Sequence, residues 1–379
     1  MEKKKIFYID PQSMYNLSSY DFWLLSEIDD EVYYFCSKHY DYTRSPKLIF
    51  LPYFSYNHIR FIPAKIISYL WSYLRILMMI ATQRPDIVHV QWFKMPHFDY
   101  VIYKLINMFS SAKIIFTAHN ILPHNSGIRY KGIYQKLYDM VDTVVVHTED
   151  TKAKLEQEFH LPSEKVTVIR HGVLKMTVDK SRLQAEMPHF DSMYNLEGKF
   201  VFTSLGEQSM YKGIDVLINV WANTPELNQN PNYRLLIVGK NKGLDFSPLY
   251  GLNNVVFDNR KISNEEFYYL MCHTDIYLLP YRVISQSGAM LTALAERVPI
   301  LVTEVGGLTD PLKIAPVGWS IPHCDYASLQ YAMLQLVNHQ HLVYEAKVNQ
   351  ENWDKVLKHY DWQGISRELQ SLYTTITKQ

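Results

Sequence analysis

Cysteine is scarce in this chain, and the three present, Cys36, Cys272 and Cys324, lie far apart with no C-x-x-C among them. That argues against a zinc cluster or a disulfide framework, points to a reducing compartment and leaves the thiols to the core. An excess of charge is equally lacking: Lys plus Arg and Asp plus Glu both number 38. No basic field gathers nucleic acid, so any anionic ligand must be held locally. Asp-x-Asp, a common holder of Mg²⁺ or Mn²⁺, occurs nowhere, and metal independence is expected. There is no G-x-G-x-x-G, no Walker loop and no G-x-S-x-G elbow. Long hydrophobic runs are missing too. The N-terminus is charged and enters a short apolar strand without a signal-peptide core, and the most apolar stretch, 66–81, is short for a bilayer and carries Arg75. A cytoplasmic protein without a transmembrane helix is expected.

What is present reads as a folded α/β protein. Its 379 residues are long for one core and comfortable for two domains; 47% are apolar and 20% charged, and 29 are Tyr. Through residue 172, short β-rich runs (6–10, 32–36, 87–90, 113–117, 143–147, 166–169) alternate with helical segments, the pattern of a parallel sheet covered by helices. The polar, weakly periodic stretch 173–198 reads as an interdomain linker. A second series follows in 199–360, with strands at 200–204, 233–239, 255–257, 275–279 and 299–303. The tail shows helical spacing at 326–337, 341–359 and 366–377. Two doubly wound domains place ligands at the carboxyl ends of their strands.

Within that frame, residues 275–307, DIYLLPYRVISQSGAMLTALAERVPILVTEVGG, read as strand, polar loop, helix, strand and glycine turn. Ser287 suits a helix cap, and Gly288 and Ala289 open the helix, so their backbone N–H groups and the positive end of the dipole favour a diphosphate. After the strand at 200–204, Gly206 frees the backbone to approach a ligand, and Lys212 beside Gly213 offers a charge for a phosphate. In the first domain, His119-Asn120 and the nearby His124 follow a strand end, where a His can donate to a sugar hydroxyl or shuttle a proton. Arg170-His171-Gly172 follows the last first-domain strand and reads as cleft lining or as a polar hinge. Residues 58–84, with Arg60, Lys65, Arg75 and Arg84 among aromatics and aliphatics, suit a helix on an anionic membrane surface and equally a packed core helix.

Taken in order, the His-Asn strand end, V-I-R-H-G-V, G-x5-Y-K-G-I-D and the loop-helix-V-P-I-L-V-T-E-V-G-G run resemble the GT-B glycosyltransferases, specifically the family-4 type of bacterial polysaccharide assembly. The resemblance covers nearly the whole chain. It implies two Rossmann-like domains facing each other across a cleft, with residues 361–379 forming a helix that crosses back to the N-terminal domain 1–172. A nucleotide diphosphate-sugar donor is then a substrate of domain 199–360 and no cofactor is needed, while a saccharide acceptor, lipid-linked by analogy, sits in the first domain. Matched by position, Lys212 contacts the donor diphosphate, Gly288 and Ala289 cradle it, His119 lines the sugar pocket as catalytic residue, and His171-Gly172 forms the interdomain turn. Two departures stand out: Ser285 and Thr292 occupy the places of a Glu-x7-Glu pair, and Ser209 that of an arginine. A catalytic base is left open among His119, His124 and Asp21. A sugar-nucleotide epimerase and a catalytically degenerate scaffold remain alternatives on the same fold.

Overall fold

In a computed structural model, residues 3–14, 16–123 and 127–378 are described. The chain forms two compact units, one of Met1–Gly172 with Asp361–Gln379 and one of Val173–Tyr360. Both are parallel sheets covered by helices.

The first sheet holds β1 (Lys5–Ile9), β2 (Glu31–Ser37), β3 (Leu48–Phe54), β4 (Ile87–Val90), β5 (Lys113–Thr117), β6 (Thr143–Val146) and β7 (Val166–Val168), in the order β3-β2-β1-β4-β5-β6-β7. Apolar runs such as KIFYI and TVVV are buried nearly throughout, as a sheet covered on both faces requires. Strand β3 escapes the sequence reading because Pro52 interrupts it. The structure tolerates that proline because β3 is an edge strand paired with β2 alone. On one face, Trp362, Ile365, Leu369, Tyr373 and Ile376 of helix Trp362–Ile376 share a core with Tyr8, Tyr20 and Tyr34.

Helix Ile62–Gln83 has 22 residues and is long and apolar enough to cross a membrane by length and composition, so the shortness inferred for 66–81 does not exclude a span. Packing argues instead: Tyr69, Tyr73, Ile76 and Ile80 lie in the core of the first unit.

The second sheet comprises β8 (Phe200–Leu205), β9 (Tyr233–Val238), β10 (Val255–Asp258), β11 (Ile276–Leu279), β12 (Ile300–Thr303) and β13 (Gly318–Ile321), ordered β10-β9-β8-β11-β12-β13. Four-residue β13 is missed in sequence because Gly318 opens it. Glycine is required there, since a Cβ would lie 2.2 Å from the Ile300 carbonyl oxygen.

The stretch 173–198 is not a linker. It belongs to the second unit and contains helix Lys180–Tyr194, capped by the Asp179 carboxylate, which accepts from the Ser181 and Arg182 N–H groups. Few apolar residues mark this helix, but Phe190, Tyr194 and Leu196 are buried in the core, and the Tyr194 hydroxyl donates to Glu266 over 2.6 Å. The expected helix 341–359 is two, Gln340–Val348 and Gln350–His359, because Asn349 turns extended and caps the second. The cysteines divide: Cys36 is buried, Cys324 partly buried and Cys272 exposed, so only the first is a core thiol.

Candidate functional site

In the second sheet the strand order reverses between β8 and β11, so their carboxyl-end loops diverge and leave a crevice for a ligand. The loop after β8 begins at Gly206, whose φ of +94° suits glycine and whose added Cβ would meet only the Lys212 Nζ, 3.9 Å away. The ammonium of Lys212 lies over the Tyr281 ring, 5.7 Å from its centroid, and no salt bridge engages it among the described residues. Burial lowers its pKa, partly countered by Glu207. Gly213 has φ +68°, and a Cβ there would lie 1.9 Å from the Pro280 carbonyl oxygen. That approach binds the lysine loop to the end of β11.

The loop after β11 carries the remaining predicted residues of this edge. Ser287 is buried and caps helix Gly288–Ala295 by accepting from the Met290 N–H. The Leu291 N–H bonds the Ser287 carbonyl at 3.1 Å, so the Gly288 and Ala289 amides precede the hydrogen-bonded ladder. Thr292 donates to the Gly288 carbonyl over 3.0 Å, which spends its proton but leaves its oxygen an acceptor. Ser285 is half-buried, and its carbonyl accepts from the Gly307 N–H at 3.1 Å.

Arg282 was not anticipated. Its guanidinium makes a bidentate pair with Asp215, 2.6 Å on each arm, and also donates to the Met210 carbonyl, while its N–H bonds Tyr211 O. One residue thus fastens both sides of the lysine turn 210–212, and the arginine holds the Asp215 carboxyl below the usual range. Sequence spacing gives no sign of it, because the two partners are 67 residues apart.

In the first unit the order reverses between β1 and β4. A cavity of about 540 Å³ lies there, lined by Gln12 after β1, by Gln91, Trp92 and Lys94 after β4, and by His119 and Asn120 after β5. Of these, only His119 and Asn120 were read from sequence. His124 lies outside the described residues. The His119 ring stacks on Trp92 at 4.5 Å and 10°. His171 and Gly172 are not among the cavity-lining residues: His171 bonds the Gly172 carbonyl at 2.7 Å and packs on Tyr20, and a Cβ on Gly172 would lie 2.5 Å from the Trp362 indole. Asp21 is fully buried, accepting from Tyr8 and Tyr34, and burial pushes its carboxyl up to about 6.

His119 belongs to a buried chain. Its Nε2 meets the Gln91 side-chain amide at 2.9 Å and its Nδ1 meets His147 Nε2 at 3.2 Å, while His147 Nδ1 meets the Ile169 carbonyl at 2.9 Å. Burial holds His119 well below the usual imidazole range, aided by its histidine neighbours, and pushes His147 down to about 4. With neutral rings the protons are determined from the outer end. A carbonyl only accepts, so His147 Nδ1 donates to Ile169 and its Nε2, facing His119, is a lone pair. The Gln91 Oε1 likewise only accepts, so His119 Nε2 donates to it, while the Gln91 NH₂ faces His89 and Thr117.

A pH test follows. Unfolded His147 protonates below about pH 6.5 while the folded residue stays neutral to about pH 4, so its stabilising contribution is full above the first value and lost as pH falls toward the second. The stability advantage of the wild type over His147→Gln should shrink by about 3 kcal/mol between pH 7 and pH 4. A difference independent of pH in paired urea titrations contradicts this.

Both sites therefore stand at switch points of doubly wound sheets. Residues 25–173 match the family described as Glycosyltransferase Family 4, and residues 199–339 match Glycosyl transferases group 1. The putative colanic acid biosynthesis glycosyltransferase WcaL of Salmonella typhimurium is 22% identical over 282 residues, covering 72% of this chain and 64% of the relative. An uncharacterized glycosyltransferase of Methanocaldococcus jannaschii is 22% identical over 250 residues, covering 63% and 61%. The chain thus spans under two thirds of either relative's length.

Among solved structures, the sucrose-phosphate synthase of Thermosynechococcus elongatus superposes with a TM-score of 0.71 at 15% identity, covering 99% of both chains. HepE of Anabaena, solved with UDP, gives 0.68 at 12% identity over 99% and 100% of the chains. WaaG, a glycosyltransferase involved in lipopolysaccharide biosynthesis, gives 0.65 at 15% over 98% and 99%. These likenesses show the fold. The chain belongs to the family-4 glycosyltransferases of GT-B type.

Proposed function

We propose that this protein transfers a sugar from a nucleotide diphosphate-sugar to a saccharide acceptor, a lipid-linked glycan, in the assembly of a bacterial surface or capsular polysaccharide. The observation that carries the reading is the Lys212 ammonium, without a salt bridge among the described residues, at the switch point whose next loop opens helix Gly288–Ala295. The names of WcaL and WaaG, and the UDP and UDP-glucose bound to HepE, support the substrate class.

In this mechanism the bond from the anomeric carbon to the diphosphate oxygen breaks and a bond to the acceptor oxygen forms. Negative charge grows on the leaving diphosphate, where Lys212 and the Gly288 and Ala289 amides stabilise it. No part of that task is assigned to a metal. Ser285 and Thr292 offer hydroxyl oxygens to the donor where relatives present carboxylates. The acceptor occupies the aromatic cavity of the first unit, with Asn120 as a hydroxyl partner. His119 takes the acceptor proton as general base, its ring changing tautomer as that hydroxyl displaces the Gln91 amide.

The lipid-linked acceptor is met at the inner face of the cell membrane. Ile62, Ile67, Trp71 and Met78 of helix Ile62–Gln83 are 69%, 65%, 58% and 51% exposed, and Met108 and Phe109 add 63% and 81% from helix Pro96–Phe109. Arg60 and Arg84 flank the first of these helices, Lys65 lies in its first turn, and all three suit anionic headgroups.

The test is turnover of UDP-, GDP- and ADP-sugars on lipid-linked saccharides in anionic vesicles, with and without chelator. Transfer unaffected by chelator is expected. Donor-sugar conversion without acceptor would establish the epimerase instead, and saturable donor binding without turnover the scaffold. Arg282→Ala should weaken nucleotide affinity about fivefold, the order expected for a partly exposed pair. Unchanged affinity removes Arg282 as a positioning residue.

A further inference from the structure

Two ring nitrogens of the first unit face each other with no proton between them. Strands β5 and β6 are neighbours in register, with Thr117 opposite Val145, so the residues just past their ends, His119 and His147, come side by side. The Ile169 carbonyl fixes the His147 proton on Nδ1, and the Gln91 carbonyl oxygen fixes the His119 proton on Nε2. His119 Nδ1 and His147 Nε2 are then both lone pairs, 3.2 Å apart. Two acceptors at that distance repel, and one further proton would bond them to each other.

The surroundings give that proton no other destination. Among the described residues no carboxylate bonds either ring: Trp92 stacks on His119, and Tyr20 meets the two rings edge-on at 5.1 and 5.8 Å. The His171 ring, 5.6 Å from His147, donates its own Nδ1 proton to the Gly172 carbonyl, and burial holds both His171 and His89 down to about 3. Repulsion among these histidines acts on a second proton, once one ring is charged. It does not oppose the first.

We infer that His147 is the positioning residue of His119: its Nε2 lone pair accepts from His119 Nδ1 and so holds the ring in the form whose Nε2 can take the acceptor proton. The inference rests on the reading of this cavity as the acceptor site. His119 and Gln91 line the cavity and His147 does not, so His147 acts through His119 and not on the substrate. When the acceptor hydroxyl displaces Gln91, the His119 Nε2 proton passes to water and Nδ1 takes one from water. Protons are conserved, and the lone-pair conflict is removed. An acceptor oxygen lone pair then forms the bond to the anomeric carbon as the diphosphate leaves, the O–H bond breaks with its electrons kept on oxygen, and the proton goes to Nε2. The imidazolium so formed donates from Nδ1 to neutral His147, a charge-assisted bond stronger than one between neutral rings.

Two measurements on the full chain test this. Nitrogen NMR of isotope-labelled histidine rings, followed as pH falls from about 8 to about 4, should show the first proton entering the pair at His119 Nδ1. In His147→Leu that midpoint should fall by about one pH unit, the size of a lost hydrogen bond to a charged group. With a nucleotide diphosphate-sugar and a lipid-linked saccharide as substrates, His147→Leu should lower kcat about tenfold or more with little change in donor KM, and the acidic limb of its pH profile should move down with the NMR midpoint. His147→Gln, whose amide can accept from His119 and donate to Ile169, should recover most of the rate. Leucine and glutamine variants equally impaired, a leucine variant as fast as wild type, or a midpoint unmoved by leucine overturns the inference. Should the leucine variant fail to fold, the wild-type titration decides, because a first proton on His147 overturns the inference without any variant. Transfer without these effects sinks the inference alone; the proton on His119 Nδ1 without transfer to any acceptor sinks the transferase reading and leaves the histidine pair.

Discussion

Lys212→Ala should lower turnover about a hundredfold or more, the order seen when a preorganised charge-stabilising group is removed from a transfer site. The effect falls on the chemical step because the diphosphate gains charge as the anomeric bond breaks, so the ammonium binds the transition state more strongly than the ground state. Lys212 contributes little to the fold: it makes no salt bridge among the described residues, and its ammonium rests over the Tyr281 ring. Thermal stability should therefore change little. Lys212→Arg keeps the charge but not the compact ammonium, and should recover only part of the rate. Initial rates at saturating donor decide the matter, and an alanine variant within a few-fold of wild type removes Lys212 from the chemistry.

Gly213→Ala should destabilise the second unit by about 3 kcal/mol. The left-handed backbone costs an alanine about 1 kcal/mol, and the rest comes from displacing the Pro280 carbonyl, 1.9 Å from the new Cβ, and the Cys324 thiol at 2.5 Å. Gly198 supplies the control. Its φ of +66° is nearly the same, yet a Cβ there meets nothing within 4 Å, so Gly198→Ala should cost only about 1 kcal/mol. Paired denaturant titrations compare the two. Equal losses would mean that the close approach at Gly213 is absorbed without cost. Because Lys212 precedes Gly213, nucleotide affinity should fall in Gly213→Ala and stay unchanged in Gly198→Ala.

The legibility of this chain in sequence follows from which signals are local. Strands such as 87–90 and 200–204 are continuous apolar runs, and Ser287-Gly288 is a cap followed by a helix start, so both can be read without partners. Helix Lys180–Tyr194 could not be read this way, because it buries only Phe190 and Tyr194, and the polar contacts of Tyr194 and Asp191 run to Glu266 and Tyr269, more than 70 residues away. The same holds for Arg282 with Asp215, and for the histidine chain, whose members come from successive strand ends. His119 was found by its place after a strand, but its engagement at both nitrogens depends on Gln91 and His147. Lys94 and Trp92 carry no motif at all, and only the topology of the sheet brings them beside Gln12 and Asn120. Gly172 looked like a ligand-facing turn and is instead the seat of the Trp362 indole.

The central claim is that the switch point between β8 and β11 is built for a diphosphate. Calorimetric titration of the wild-type protein with UDP, GDP and ADP, each paired with its monophosphate, tests it most directly. One diphosphate should bind saturably at one site per chain and at least tenfold more tightly than its monophosphate. Absence of binding by all three, or a monophosphate bound as tightly as its diphosphate, would contradict the account.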